Sequence, residues 1–158
     1  MKAHANTLSV AGPFSFTADA SKPSLGARLL RLVITAQGAP GALPEGVERV
    51  PISLHDGQLA PPAIIAALAA RGFRRILVEG GADTVSRFVA ARCLDRLHVL
   101  VAPIILGAGR SSLTLAPIER VDEAVRAPMR VHLLDSDVLL DCDLSAQRVP
   151  LGRAKMST

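Results

Sequence analysis

Residues 76–84 read Ile-Leu-Val-Glu-Gly-Gly-Ala-Asp-Thr, an apolar run that meets a carboxylate, a glycine pair and then a helix start. Few folds accept that order. A strand passed to a helix through two glycines is the crossover of an α/β sheet, and such sheets gather their ligands at the carboxyl ends of strands. Glu79 is expected at that end. Gly80 and Gly81 lack the Cβ atoms that would hold a ligand off the backbone. The amides that open the next helix can face a phosphate or pyrophosphate. The segment predicts a nucleotide-facing crossover that carries an acid.

The rest of the chain supplies elements around it. Leu29 to Thr35 (LLRLVIT) predicts a strand, closed by the turn residues Gly38-Ala39-Pro40-Gly41. Val47 to Ile52 predicts a second strand, followed by the loop His55-Asp56-Gly57. Pro61 and Pro62 suit a helix start, Ile64, Ile65, Leu68 and Ala69 give it an apolar face, and Gly72 ends it. Arg75 to Val78 is the third strand. Thr84 to about Arg92 is the next helix, with Val85, Phe88 and Val89 turned inward. Leu97 to Ile105 predicts a long strand interrupted by Pro103, and the glycine loop Leu106 to Arg110 follows. Met129 to Leu134 and Val138 to Leu144 predict a closing hairpin around Asp135-Ser136-Asp137. Asp137, Asp141 and Asp143 alternate along its last strand, which puts them on one face, most simply the solvated one. The order argues for an α/β fold with a mainly parallel sheet, helices over it and an antiparallel C-terminal hairpin. Three segments result: an irregular N-terminal arm over 1–26, one α/β domain over 27–144, and a polar, mobile tail over 145–158.

Composition narrows the function classes. The chain has 158 residues, 49% of them hydrophobic, with no Trp, no Tyr and four Phe, so the core is aliphatic. Stacking of bases on aromatic side chains has almost nothing to work with. The net charge is +4 and the pI about 9.8, but the arginines are scattered and only Arg74 and Arg75 are adjacent. That pattern disfavours nucleic acid and fits a solvated surface or anionic small-ligand sites. No window approaches the roughly 18 apolar residues of a membrane span. Residues 1–26 show no secretory pattern, so the expected compartment is the cytoplasm. Cys93 and Cys142 are far apart and read as free thiols. His4, His55, His98 and His132 have no metal spacing, and no metal is expected. Neither a nucleophile elbow nor a P-loop is present, which disfavours hydrolase and NTPase chemistry.

Each candidate also has a plain structural use. Glu79 can cap the following helix start or pair with an arginine. Asp83 is a natural helix N-cap, since an acid beside a diphosphate is unfavourable unless it turns back onto the helix amides. Thr84 and Ser86 are better phosphate or hydroxyl contacts. Gly107-Ala108-Gly109 is either a turn leaving a strand or part of a cleft, and Arg110 is the cation beside it.

The run ILVEGGADTVSRFVAARCLDRLHVLVAPIILGAGRSSL resembles the C-terminal half of the riboflavin-biosynthesis reductase domain, the reductase part of the bifunctional deaminase-reductase in the dihydrofolate-reductase-like superfamily. The Val-Glu-Gly-Gly-Ala turn, Leu-Asp-Arg-Leu-His, Ala-Pro-Ile-Ile-Leu-Gly-Ala-Gly-Arg and the closing Asp-Val-Leu-Leu-Asp match in order. Leu-Val-Ile-Thr and Pro-Ala-Ile-Ile-Ala-Ala-Leu-Ala-Ala-Arg-Gly extend the likeness upstream, so that it covers about residues 28–144. It implies a three-layer α/β/α domain and an NADPH-dependent reduction of a 5-amino-6-(phosphoribosylamino)uracil-type substrate, a phosphorylated pyrimidine, to its ribitylamino form. It implies cofactor contacts at Gly80, Gly81, Ala82, Asp83, Thr84, Val85, Ser86 and Arg87, with Thr35 near the adenine end and Gly107, Gly109 and Arg110 near the same cleft. It implies a substrate contact at Glu79 and a homodimer. No residue is matched to a catalytic proton donor.

The chain departs from that family upstream. Reductase domains of this kind are longer at the N-terminus and begin on a strand that ends in a Ser-Leu-Asp-Gly-like motif. Residues 1–26 carry no such motif. The expected domain is therefore truncated, with apolar surface and strand edges left open unless residues 1–26 or a second copy cover them. The alternative function is a non-catalytic nucleotide-binding remnant or dimeric module of the same fold.

Overall fold

The computed structural model describes the backbone of residues 6–10 and 16–18, and residues 30–150 in full. The chain divides into two compact units, Met1–Val85 and Ser86–Thr158. A single domain with no internal linker was expected over 27–144; the division falls inside a helix instead of at a linker.

In the first unit, β1 (Asn6–Val10) and β2 (Phe16–Ala18) pair antiparallel, and β1 pairs parallel with β5 (Ile76–Val78). The irregular arm expected over 1–26 is thereby corrected in part. β5 is only three residues long, and its open backbone groups are met in register by Asn6 to Leu8. β3 (Arg31–Ala36) and β4 (Val47–Ile52) form a separate parallel pair, from Arg31 opposite Val47 to Ala36 opposite Ile52. Leu32 and Ile34 of β3 and Val50 of β4 are buried, as period-two alternation requires.

The helix α1 (Pro61–Ala70) opens on two prolines, which suits positions whose amides have no intrahelical partner. Pro61, Ile64 and Leu68 are its buried stripe. Ile65 is half-buried and Ala69 exposed, so the face lies a little to one side of the one expected. At its end Gly72 takes φ +87°, its amide reaches Ala69 O, and the Phe73 amide reaches Leu68 O. This is a Schellman stop, and it tucks Phe73 into the core with Leu59.

In the second unit, β6 (Arg96–Val101), β7 (Met129–Leu134) and β8 (Asp137–Asp143) form an antiparallel sheet in the order β6-β8-β7. The hairpin turns at Asp135, which takes φ +54°. β6 is shorter than the strand expected to Ile105. Pro103 has no amide to donate to a ladder, and the chain beyond Val101 is exposed. The tail is also corrected. Residues Ser145–Gln147 make a 3₁₀ turn, the Val149 amide donates to Arg92 O, and Arg148 lies 2.7 Å from Asp95. Residues 151–158 lie outside the described residues. Among the described residues one sheet is mixed, one parallel and one antiparallel, where a mainly parallel sheet with an antiparallel C-terminal hairpin was expected.

The pairing sorts side chains onto two faces of this sheet. One face carries Leu97, Val99 and Val101 from β6, Val138, Leu140 and Cys142 from β8, and Met129, Val131 and Leu133 from β7. Every member is apolar, and the β7 trio and Val101 are exposed. The other face carries Arg96, His98, Arg130 and His132 around Asp141 and Asp143, so the expected acidic face is present. Arg96 donates to both Asp141 oxygens at 2.7 Å, and His98 Nε2 lies 3.2 Å from the same carboxylate. The Arg96 hydrogen bond is the main reason the Asp141 carboxyl is held below the ordinary aspartate range.

Candidate functional site

β5 delivers the chain to Glu79, which is exposed and makes no ion pair among the described residues. The turn that follows uses its two glycines differently. A Cβ on Gly80 would stand 2.9 Å from Thr84 Cβ, nearer than real Cβ contacts come. Gly80 is therefore a glycine because the next helix passes over it. A Cβ on Gly81 would meet nothing within 4 Å. The space in front of Gly81 is open.

The helix α2 (Ala82–Ala90) starts there. The Val85 amide donates to Gly81 O at 3.2 Å, which makes Gly81 the N-cap residue. Asp83 is thus in the first turn and is not the cap, a correction of the role expected for it. Its charge still favours the positive end of the helix dipole. The amides of Ala82, Asp83 and Thr84 have no acceptor among the described residues. They form a row of donors beside the open space at Gly81, an arrangement that suits an anionic oxygen.

Ser86 was expected among the ligand contacts, and the structure gives it another partner. It is 3% exposed, and its Oγ accepts the Thr114 amide at 2.7 Å, with Thr114 Oγ1 at 3.4 Å. Thr114 is the residue that sequence reading missed, because nothing in Ser-Ser-Leu-Thr announces a bond across 28 positions. Arg87 is half-buried in the last part of α2. The helix closes with the Arg92 amide on Val89 O and the Cys93 amide on Phe88 O. Arg92 takes φ +51° in the position usually given to glycine. Cys93 is buried, and burial pushes its thiol up against the opposing effect of Arg148.

The glycine loop belongs to the second unit. Residues 102–112 are exposed and lack regular structure. A Cβ on Gly107 or Gly109 would meet nothing within 4 Å, and neither takes a positive φ. Arg110 is exposed and makes no ion pair among the described residues. Ser111 Oγ donates to Leu113 O just beyond it. Thr35 lies on β3 in the first unit, opposite Pro51. Its Oγ1 is buried and has no hydrogen-bond partner among the described residues. An orphaned hydroxyl of this kind costs stability unless something accepts or donates to it. The structure thus gathers Glu79 to Val85 around one turn, gives Ser86 to Thr114, and places Thr35 and the glycine loop on other elements.

Comparison with known proteins gives this geometry a setting. The sequence model of the RibD C-terminal domain matches residues 24–139. Riboflavin biosynthesis protein RibD of Bacillus amyloliquefaciens is 38% identical over 65 residues, which are 41% of this chain and 16% of that protein. Form 1 of Acinetobacter baumannii RibD is similar in structure with a TM-score of 0.55 at 21% identity, over 73% of this chain and 37% of that one. A pyrimidine reductase-like protein from Corynebacterium diphtheriae gives a TM-score of 0.51 at 24% identity, over 78% of this chain and 53% of that one. The chain spans about a sixth of the curated relative and between a third and just over half of these solved structures. The structural likeness supports an α/β fold shared with them.

Proposed function

The chain belongs to the RibD C-terminal domain family, and from that premise we propose that it is an NADPH-dependent reductase of riboflavin biosynthesis. The substrate in this reading is a phosphorylated ribosylaminopyrimidine, reduced to its ribitylamino form in the cytoplasm. The observation that carries it is the turn at Gly81, where open space meets three helix amides that have no acceptor among the described residues.

These residues fit the phosphate end of a dinucleotide. Gly81 admits the diphosphate to the backbone, and the amides of Ala82, Asp83 and Thr84 donate to its oxygens. The Thr84 hydroxyl and Arg87 add contacts along the same helix, with Gly80 and Val85 holding the turn in shape. For Thr35, Gly107, Gly109 and Arg110 a cofactor role is implied by the family resemblance alone. NADPH, when bound, supplies the hydride for reduction of the substrate's imine carbon. Glu79 accepts hydrogen bonds from the substrate at the carboxyl end of β5 and so orients it. A homodimer is part of the proposal, supported by the apolar face of the β6-β8-β7 sheet. Among the described residues no helix is long and apolar enough to cross a membrane.

Thermal unfolding with and without NADPH tests the reading. At about a hundred times the dissociation constant, binding adds about 2.7 kcal/mol. For a chain of this size that raises the midpoint by roughly 5–10 °C. No shift at millimolar NADPH removes the reductase reading. A shift without NADPH oxidation when the pyrimidine substrate is supplied leaves a nucleotide-binding module.

A further inference from the structure

The volume that a side chain on Gly80 would fill is taken by one residue. The atoms nearest to that point are Thr84 Cβ at 2.9 Å, Cγ2 at 3.1 Å and Oγ1 at 3.2 Å. Helix geometry explains the meeting. A helical side chain leans toward the N-terminus and covers the turn that precedes its own Cα, so a residue at 84 lies over position 80. Threonine carries two heavy atoms on its β-carbon, which leave it few rotamers in a helix. Both arms, methyl and hydroxyl, stand against Gly80. Among the described residues the hydroxyl makes no hydrogen bond, so the contact is one of shape. The next residue closes the turn, since the Val85 amide donates to Gly81 O at 3.2 Å. The turn is thus held at both glycines, by a packed side chain on the first and a backbone bond on the second. Glu79 enters it directly before Gly80, and the amides of Ala82, Asp83 and Thr84 follow directly after Gly81. All of these residues lie in the first compact unit, Met1–Val85.

We propose that Thr84 is a positioning residue that acts by its shape: its β-branched side chain, packed on Gly80, fixes the turn that presents Glu79 and the three helix amides to substrate and NADPH. This rests on the NADPH reading above, and it makes the hydroxyl contact given there the smaller part of what Thr84 does. Valine matches threonine in branching and size. Serine keeps the hydroxyl and loses the methyl. The two substitutions therefore separate shape from hydrogen bonding.

The test is NADPH affinity by titration calorimetry, with chemical denaturation and hydrogen exchange at the Val85 amide read on the same variants. Thr84→Val should keep wild-type affinity and wild-type protection at Val85. Thr84→Ser should lose protection at Val85 and bind NADPH about fivefold more weakly, the scale of one packed methyl. Gly80→Ala, which meets the Thr84 β-carbon, should weaken binding more than either. Removing that β-carbon as well, in Gly80→Ala/Thr84→Gly, should recover part of both affinity and stability, a coupling that distant sites do not show. Should Gly80→Ala fail to fold, folding of the double variant is that recovery. Weak binding by Thr84→Val beside full binding by Thr84→Ser overturns the proposal and makes the hydroxyl a direct ligand group. A Thr84→Ser variant that loses stability but holds its affinity overturns it too, because the packing then serves the fold alone. Both of those outcomes leave NADPH binding in place. Wild-type protein that binds no NADPH removes the functional reading and the proposal with it.

Discussion

A β-carbon on Gly80 would come within 2.9 Å of the Thr84 β-carbon, whereas one on Gly81 would meet nothing within 4 Å. The two glycines should therefore respond oppositely to alanine. Gly80→Ala is expected to lower stability by about 1–3 kcal/mol in chemical denaturation, because α2 must shift to admit it. Gly81→Ala should cost less than about 1 kcal/mol, the modest change of an N-cap. It should nonetheless weaken NADPH on the order of tenfold by holding the phosphates off the backbone. Asp83 is a second residue whose two effects part company. Asp83→Asn removes a charge that suits the helix dipole, at a cost of about 0.3–1 kcal/mol. The same change removes a like charge beside the phosphates and should tighten NADPH by about fivefold at low salt. The glycine pair was legible in the sequence as a strand-to-helix turn. Its division of labour was not, because only the path of the following helix shows which glycine lies under Thr84. Ser86 was misread for a related reason: a serine two positions past Thr84 looks equally available until the helix face is known.

Among the elements, β4 and β7 have the bounds that the sequence predicted. β6 fell short of prediction since hydrophobicity alone cannot distinguish a strand from the exposed Ile104-Ile105-Leu106 that follows it. The sheet's polar face makes an electrostatic prediction. Asp141 is held below the ordinary aspartate range by the Arg96 hydrogen bond first, with the Arg96 charge and His98 acting in the same direction. A carboxyl depressed on folding contributes stability that is complete above its unfolded value and lost as the pH falls through its folded value. Denaturation curves from neutral pH down to about pH 2 should show this loss. Asp141→Asn should be less stable than the wild type at neutral pH and flatter in the acid limb. An unchanged acid limb in that variant would mean the ladder adds nothing to folding.

For the molecule as a whole, an exposed apolar face lies on the β6-β8-β7 sheet. Met129, Val131 and Leu133 stand in a row on the edge strand, all exposed. Soluble monomers seldom leave such a face bare. If a second copy covers it, Val131→Lys and Leu133→Lys should convert dimer to monomer in sedimentation velocity and leave the fold's circular dichroism intact. A wild-type monomer would remove the dimer from the proposal. That the chain falls into two units was not legible, since no run of Pro, Gly or Ser marks the border between Val85 and Ser86. The border inside α2 also bears on where the chain can be cut. A break there would divide a nine-residue helix into Ala82–Val85 and Ser86–Ala90, each too short to persist alone.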